Sequence, residues 1–256
     1  MSETAMLLTL DKVTRFYGSR LVFKDLSLSV GPGTVTLLTG ANGAGKTTLL
    51  RIMAGLIRPS AGSVILGAGQ RNPMPASEKH GAASRDGAPV LGFLGHQTFL
   101  YPDLSARENL RFWSALHDRA CSDDALDDAL RRVELESFAE EKAGTFSRGM
   151  AQRLNLARVF LLQPDILLLD EPGTGLDTRS ALILHREIMD ARAQGAGIVW
   201  ITHSPDDDLG CADMVAVLAN KGLRFYGTSE VYREQRLTPP RRSFSSSPYA
   251  SGGELC

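Results

Sequence analysis

The sequence predicts an α/β fold with a parallel central sheet, and three stretches predict it. Val35-Thr36-Leu37-Leu38-Thr39 is an apolar run that leads through a glycine-rich loop into Thr48-Leu49-Leu50-Arg51-Ile52-Met53-Ala54-Gly55, which reads as a helix. Asp165-Ile166-Leu167-Leu168-Leu169-Asp170-Glu171-Pro172 is a continuous apolar run that ends in two adjacent acids. Ile198–Thr202 is a further run of the same kind, with His203 at its carboxyl end. Runs that are apolar at successive positions, not alternate ones, mark strands covered on both faces, as central parallel strands are. Ligands collect at the carboxyl ends of such strands.

The loop after the first run is Gly40-Ala41-Asn42-Gly43-Ala44-Gly45-Lys46-Thr47, followed by Thr48. Strand, glycine-rich loop and helix, in that order, are the setting of a phosphate-binding P-loop. Glycines allow positive φ and let backbone N–H groups turn inward as an anion-binding nest. The helix N-terminus adds its unpaired N–H groups and dipole. Lys46 supplies a point charge for the outer phosphates, and the Thr47 hydroxyl suits a Mg²⁺ ion. A glycine-rich turn that binds nothing is the alternative, and the flanking strand and helix rank it far lower. Gly40 to Thr48 are therefore the candidate nucleotide-binding residues, and the expected ligand is a nucleoside triphosphate.

Two adjacent acids at the end of a buried strand are costly without a cation or a proton to handle. Asp170 fits the acid that holds Mg²⁺ beside a P-loop, and Glu171 fits a base that polarises an attacking water. A lone histidine is usually structural, but His203, at the end of a strand of the same sheet, is placed to contact a γ-phosphate.

The rest of the chain is read in order. Leu7–Val13 and Leu26–Val30 read as strands about a turn at Tyr17-Gly18-Ser19-Arg20, and Gly31-Pro32-Gly33 breaks the chain before the P-loop strand. Tyr17 is a candidate for stacking on a base, although a lone aromatic in a turn is more often ordinary packing. Ser63–Leu66 is a short strand, and residues 67–89 form a Gly, Ala, Pro and Ser-rich stretch expected to be a flexible surface insertion. Val90–Leu94 is a strand ending in Gly95-His96-Gln97. Gln97 has two even readings, a ligand to a metal-bound water or a loop cap. Ser105 and Glu108 make a capping box that opens an amphipathic helix to about His117, and a second helix spans about Asp123 to Val133. Thr145-Phe146-Ser147-Arg148-Gly149-Met150 opens the helix Ala151–Leu162, so that Ser147 and Gly149 form either a plain N-cap or a second phosphate-binding helix start. Gly173-Thr174-Gly175-Leu176-Asp177 is a tight loop before a helix from Thr178 to about Arg192. Val215–Ala219 and Leu223–Tyr226 flank Asn220-Lys221-Gly222 as a hairpin, and the tail from Leu237 reads as disordered.

Bulk properties narrow the function class. A net charge of −1 and a pI near 6.5 argue against nucleic acid as a partner. The three cysteines, Cys121, Cys211 and Cys256, lie far apart, which argues against a disulfide framework or a zinc site and fits a reducing compartment. No apolar run approaches the ~18 residues of a membrane span, and Met1-Ser2-Glu3-Thr4 does not open a signal peptide.

Taken together, residues 6–230 resemble the nucleotide-binding domain of an ABC ATPase. The resemblance implies a RecA-like P-loop NTPase fold in the α/β class, a parallel-sheet core with an antiparallel β subdomain and a helical subdomain at about 100–163. The ATP-binding domain would span 1–235 and a disordered tail 236–256. Lys46 and Thr47 match the Walker A motif, Asp170 the Walker B aspartate and Glu171 the catalytic glutamate. Gln97 resembles the Q-loop residue and a Mg²⁺ ligand, Asp177 the D-loop aspartate, His203 the switch histidine and Tyr17 the adenine-stacking aromatic. Ser147-Arg148-Gly149 resembles the family signature with Phe146, Arg148 and Met150 as departures from Leu-Ser-Gly-Gly-Gln, and Thr174-Gly175 replaces a common Ser-Ala. The family implies ATP and Mg²⁺, a head-to-tail dimer of two cassettes, most simply two copies of this chain, and a separate integral-membrane permease that holds the chain at the inner face of the cell membrane.

Gly95-His96-Gln97, the run Leu100-Tyr101-Pro102-Asp103-Leu104-Ser105 and Glu108-Asn109-Leu110-Arg111-Phe112-Trp113 are similar to the heme-exporter ATPases of cytochrome c maturation. Phe146 to Leu154 is shared with that group and also with drug and polysaccharide exporters, so a generic drug, lipid or polysaccharide exporter stays open. A GTPase is disfavoured because Asn220-Lys221-Gly222 is followed by Leu223 and no guanine-reading motif results. A soluble ABC protein of translation or DNA repair is the rival of another class, but no second cassette or long coiled coil is present.

Overall fold

The strands sort into two sheets according to how their apolar residues are spaced. The computed structural model describes residues 6–67, 89–95, 97–117, 121–202 and 208–237. His203, nearly all of the 67–89 insertion and the tail beyond 237 lie outside the described residues. The chain opens with β1 (Leu8–Tyr17), β2 (Arg20–Val30), β3 (Val35–Gly40), α1 (Lys46–Met53) and β4 (Ala61–Leu66). It continues through β5 (Leu91–Leu94), α2 (Ala106–Leu116), α3 (Asp123–Arg132), α4 (Arg148–Phe160), β6 (Ile166–Asp170) and α5 (Thr178–Ala193). The last elements are β7 (Gly197–Ile201), β8 (Met214–Ala219), β9 (Gly222–Thr228) and α6 (Ser229–Leu237).

The continuous apolar runs make the main sheet, in the order β5-β6-β7-β3-β8-β9. The first five of these strands are parallel and β9 returns antiparallel to β8. Every residue of β6 and β7 is buried. Successive side chains enter opposite cores: Ile166, Leu168, Val199 and Ile201 pack on one face, and Leu167, Leu169, Ile198 and Trp200 on the other. Each fully buried Leu or Ile contributes about 1.5–3 kcal/mol. The alternating strands make the smaller antiparallel sheet, β2-β1-β4. Leu8, Leu10, Phe23, Leu26 and Leu28 point from it onto Leu49, Leu50, Ile52 and Met53 of α1. The helix after the glycine loop is thereby held between two sheets. Bulges where Lys12 and Asp25 adopt positive φ (47° and 52°) bend the small sheet around it.

Local signals in the sequence are realised. Ser105 Oγ accepts from the Glu108 N–H at 3.2 Å and Glu108 Oε2 accepts from the Ser105 N–H at 2.7 Å, the reciprocal capping box. Asn220 and Lys221, with φ of 52° and 61°, form the two-residue turn that suits the twist of the β8–β9 hairpin. Several boundaries move, most of all in the first strands and in α4. β1 and β2 run several residues further toward their turn than alternation predicts, because mutual pairing extends them to Tyr17 and Arg20. The helix expected at Ala151 begins at Arg148, because Ser147 caps it. The helix α6 was not foreseen.

The helices α2, α3 and α4 pack on the face opposite the small sheet, around Leu110, Leu126, Leu130 and Leu154. A buried amide organises the entry to this block. Asn109 is fully buried; its Nδ2 donates to the carbonyls of Tyr101, Leu104 and Ser105 at 3.0, 3.2 and 3.0 Å, and its Oδ1 accepts from the Tyr101 N–H at 2.8 Å. Nearby, Trp113 Nε1 donates to the Phe99 carbonyl at 3.1 Å, and the buried Arg158 guanidinium lies 4.6 Å from the Trp113 ring centroid. Burial pushes the Arg158 pKa down to about 10, which leaves it a cation at neutral pH. It also donates to Asn155 Oδ1 from Nε and Nη2 at 3.0 and 2.8 Å. The loop after β5 is thus fastened to the helices by polar contacts.

Asn109→Ala removes four hydrogen bonds of a buried side chain, leaves the Tyr101 N–H without its acceptor and opens a cavity, and is expected to destabilise the fold by about 3 kcal/mol in urea unfolding. Asn109→Leu, which restores volume but not the hydrogen bonds, should not recover it.

Candidate nucleotide site

The loop from β3 to α1 is built for close approach of backbone. Gly40 has φ 147°, and a Cβ there would sit 2.3 Å from the Leu218 carbonyl oxygen. Gly45 has φ 103°, and a Cβ there would sit 2.8 Å from Val22 Cγ1 and 2.9 Å from Phe23 Cδ1. Between them Ala41, Asn42 and Gly43 are exposed, and the Ala44 N–H closes the turn on the Ala41 carbonyl at 3.1 Å. Gly45 is the N-cap of α1; no side chain caps this helix and no acid sits in its first turn. The N–H groups of Lys46, Thr47 and Thr48 therefore have no intrahelical acceptor and no side-chain cap, which leaves a positive helix end in the loop.

Lys46 is only 8 % exposed, and its Nζ donates to the Gly40 and Ala41 carbonyls at 2.8 and 3.3 Å. The ammonium is held across the mouth of the loop it would share with an anion. Thr47 Oγ1 donates to Asp170 Oδ1 at 3.0 Å, joining two residues 123 apart in sequence. Asp170 is 3 % exposed at the end of β6. A hydroxyl and a carboxylate oxygen at this separation are hard donors that fit a Mg²⁺ ion.

Glu171 follows at φ 53°, a left-handed conformation unusual for a residue with a side chain. Strain of this kind costs about 1–3 kcal/mol and concentrates at functional sites. The Glu171 N–H donates to the Ile201 carbonyl at 3.1 Å, which ties the strained residue to the end of β7. Glu171 lines a cavity of about 70 Å³ with Gly95, Thr98, Arg148, Gln152 and Thr174. Such a space has room for a few water molecules. Gln97 is exposed and lies in the segment between Gly95 and Thr98, so the loop that carries it borders the same cavity.

The remaining candidates gather elsewhere. Ser147 Oγ accepts from the Met150 N–H at 3.3 Å and caps α4. Gly149 presses on the start of α5, where a Cβ would lie 2.8 Å from Asp177 Oδ2. Asp177 caps α5: Oδ1 accepts from the Ser180 N–H at 2.8 Å and Oδ2 from Ser180 Oγ at 3.0 Å. The Ser180 backbone N–H, and then its hydroxyl, hold the Asp177 carboxyl below the usual carboxylate range. Tyr17 is 47 % exposed at the end of β1, with the Arg15 guanidinium 4.5 Å from its ring centroid. Thr47 and Asp170 thus meet directly beside the loop that Lys46 spans, Glu171 and the Gln97 segment share a cavity, and Ser147, Gly149 and Asp177 form a separate cluster. Sequence reasoning did not single out Ser180, although Asp177-x-x-Ser180 has the spacing of a helix cap. It also gave no role to Arg148, whose contact with Thr174 has no local signal.

A sequence-family profile described as ABC transporter matches residues 23–174. The cytochrome c biogenesis ATP-binding export protein CcmA of Pseudomonas putida (strain GB-1) is 38 % identical over 184 residues, 72 % of this chain and 83 % of that protein. The ABC transporter ATP-binding protein NatA of Bacillus subtilis (strain 168) is 31 % identical over 238 residues, 90 % of this chain and 93 % of that one. A solved structure of an ATP-binding subunit of an ABC transporter superposes with a TM-score of 0.75 at 27 % identity, covering 90 % of this chain and 93 % of the other.

Gly45→Ala is expected to lower Tm by about 4–8 °C and to abolish calorimetric binding of ATP, because the new methyl both strains φ and strikes Phe23. The stability that the Asp177 cap contributes is complete above the unfolded carboxylate pKa near 4 and fades as pH falls through the lower folded value. Asp177→Asn keeps a capping oxygen but should remove that acid-limb dependence when Tm is followed from pH 7 to pH 3.

Proposed function

Because the chain belongs to the ABC transporter family, as an ATP-hydrolysing subunit, we propose that it powers export through a separate membrane permease in cytochrome c biogenesis, with heme as the exported group. The observation that carries the ATPase reading is the Thr47–Asp170 hydrogen bond beside Lys46, which joins the phosphate loop to an acid at a neighbouring strand end. The export reading is supported by the likeness to the cytochrome c biogenesis export protein over most of both chains. A drug, lipid or polysaccharide exporter is the second reading, because an ABC transporter ATP-binding protein whose name states no substrate, NatA, matches over more of both chains at lower identity.

In the proposed reaction the N–H groups of Gly43 to Thr48 and the Lys46 ammonium bind the β- and γ-phosphates. Lys46 gives up its contacts with the Gly40 and Ala41 carbonyls to do so. Thr47 and Asp170, with Gln97, would hold Mg²⁺, which when bound neutralises charge on the phosphates. Tyr17 stacks on the adenine. Glu171 accepts the proton of the attacking water, and His203 and Gln97 orient the water and the γ-phosphate. Most of the catalysis is positioning and charge stabilisation. A second copy of the chain, packed head to tail, brings its Ser147 and Gly149 to the γ-phosphate, with Asp177 at the seam; the exposed Ser147 and Asp177 and the half-buried Gly149, at the start of α4 and α5, suit this. Closure moves the helical block at 100–163 and pulls on the permease. Among the described residues no helix is long and apolar enough to cross a membrane. The proposed location is the inner face of the cell membrane, with the permease supplying the span, and nucleic acid is not among the proposed partners.

Glu171→Gln is expected to keep ATP binding, lower kcat by about 100-fold or more and accumulate an ATP-bound dimer on size-exclusion chromatography. Unchanged hydrolysis would falsify the base assignment. Purification of the tagged chain from detergent-solubilised membranes should recover a multispan permease together with cytochrome c maturation proteins. Recovery of an unrelated permease would discard heme and keep the ATPase.

A further inference from the structure

The loop from Glu171 to Asp177 links the two clusters of candidate residues, and a side chain at its midpoint would be strained and would displace the Arg148 guanidinium. Gly175 has φ 74°, and a Cβ there would lie 2.8, 2.9 and 3.1 Å from Nη1, Cζ and Nη2 of Arg148. The flat guanidinium therefore covers Gly175. From the same position its Nη2 donates to the Thr174 carbonyl at 3.0 Å. Arg148 is the first residue of α4, between Ser147 and Gly149. Gly149 in turn rests on Asp177, where a Cβ would meet Oδ2 at 2.8 Å. Adjacent residues thus fasten the start of α4 to both the middle and the end of one loop. Arg148 also lines the cavity that Glu171 faces.

Two departures from the ABC pattern meet at this contact. Arg148 stands where the family signature has glycine, and Thr174-Gly175 stands where Ser-Ala is common. An alanine methyl at 175 and a guanidinium on residue 148 would claim the same space. The glycine has moved from one side of the contact to the other. Arginine suits the task because its plane is rigid and lies flat on backbone, whereas a lysine ammonium on a flexible stem would not cover the loop.

We propose that Arg148 is a positioning residue for ATP hydrolysis, whose guanidinium, seated on Gly175 and bonded to the Thr174 carbonyl, sets the Glu171–Asp177 loop against the helix start that carries Ser147 and Gly149. The proposal rests on the reading that Glu171 is the base and that Ser147 and Gly149 meet nucleotide. Arg148 acts through that loop, so its loss changes the geometry of attack and leaves the phosphate loop intact.

The test is a double-mutant cycle of Arg148→Gly and Gly175→Ala in the full chain, read by steady-state ATPase kcat and KM and by Tm. Gly175→Ala alone is expected to lower kcat by about tenfold or more, with the KM for ATP within about twofold of the parent. In the Arg148→Gly background the same substitution should cost less than about threefold, because the clashing group is gone. Arg148→Lys should behave like Arg148→Gly, failing to restore kcat. Equal losses from Gly175→Ala in both backgrounds would assign the effect to φ strain alone and overturn the proposal. Full kcat in Arg148→Gly, or a loss expressed in KM, would overturn it as well. If the parent chain hydrolyses no ATP, the functional reading fails by itself. The contact is then judged by Tm, where Gly175→Ala should cost about 2–4 °C more in the parent than in Arg148→Gly.

Discussion

The site depends on one hydrogen bond between residues 123 apart in the sequence, Thr47 to Asp170. These residues sit on the first turn of α1 and at the end of β6, and β7 lies between β3 and β6 in the sheet. The bond requires that three strands end level and that α1 lie close over them. The level ends follow from parallel pairing in register, Leu38 with Ile201 and Ile201 with Asp170. The close approach follows from the buried Leu49, Leu50, Ile52 and Met53, which the small antiparallel sheet presses onto the main one. Hydrophobic packing on a helix thus places a hydroxyl beside a carboxylate.

A buried lysine and a buried aspartate in one small space would be expensive if left without partners. Here each is satisfied by short polar contacts that a phosphate or a cation could replace: Lys46 by two carbonyls of its own loop, and Asp170 by the Thr47 hydroxyl. The glycines of the loop serve the same end. At Gly40 and Gly45 the absent Cβ is what lets the loop lie against Leu218 and Phe23 and present amides inward.

Around this rigid centre, the residues that would work on a bound nucleotide are carried by loops. Glu171 is held at positive φ by its bond to Ile201, and the loop beyond it is fastened at Thr174, Gly175 and Asp177 to the start of α4. On the other side, Asn109 and Trp113 tie the segment after Gln97 to the helical block. Displacement of that block would be felt at both loops. Functional residues concentrate on loops that a rigid scaffold positions in this way.

By itself the sequence determined whatever is written in neighbouring residues. The buried strands showed as unbroken apolar runs, the helix starts as Ser105 with Glu108 and as Ser147, the hairpin as Asn220-Lys221-Gly222, and the candidate phosphate loop as glycines before Lys46-Thr47. Each is a local pattern whose physics operates within one or two turns of chain. The tertiary structure alone decided which strand ends adjoin, that Asp170 faces Thr47, that Asn109 is a buried staple, and that Arg148 covers Gly175. These are contacts between segments far apart along the chain. They depend on strand order and on the shape left between packed elements, and neither periodicity nor spacing carries that information.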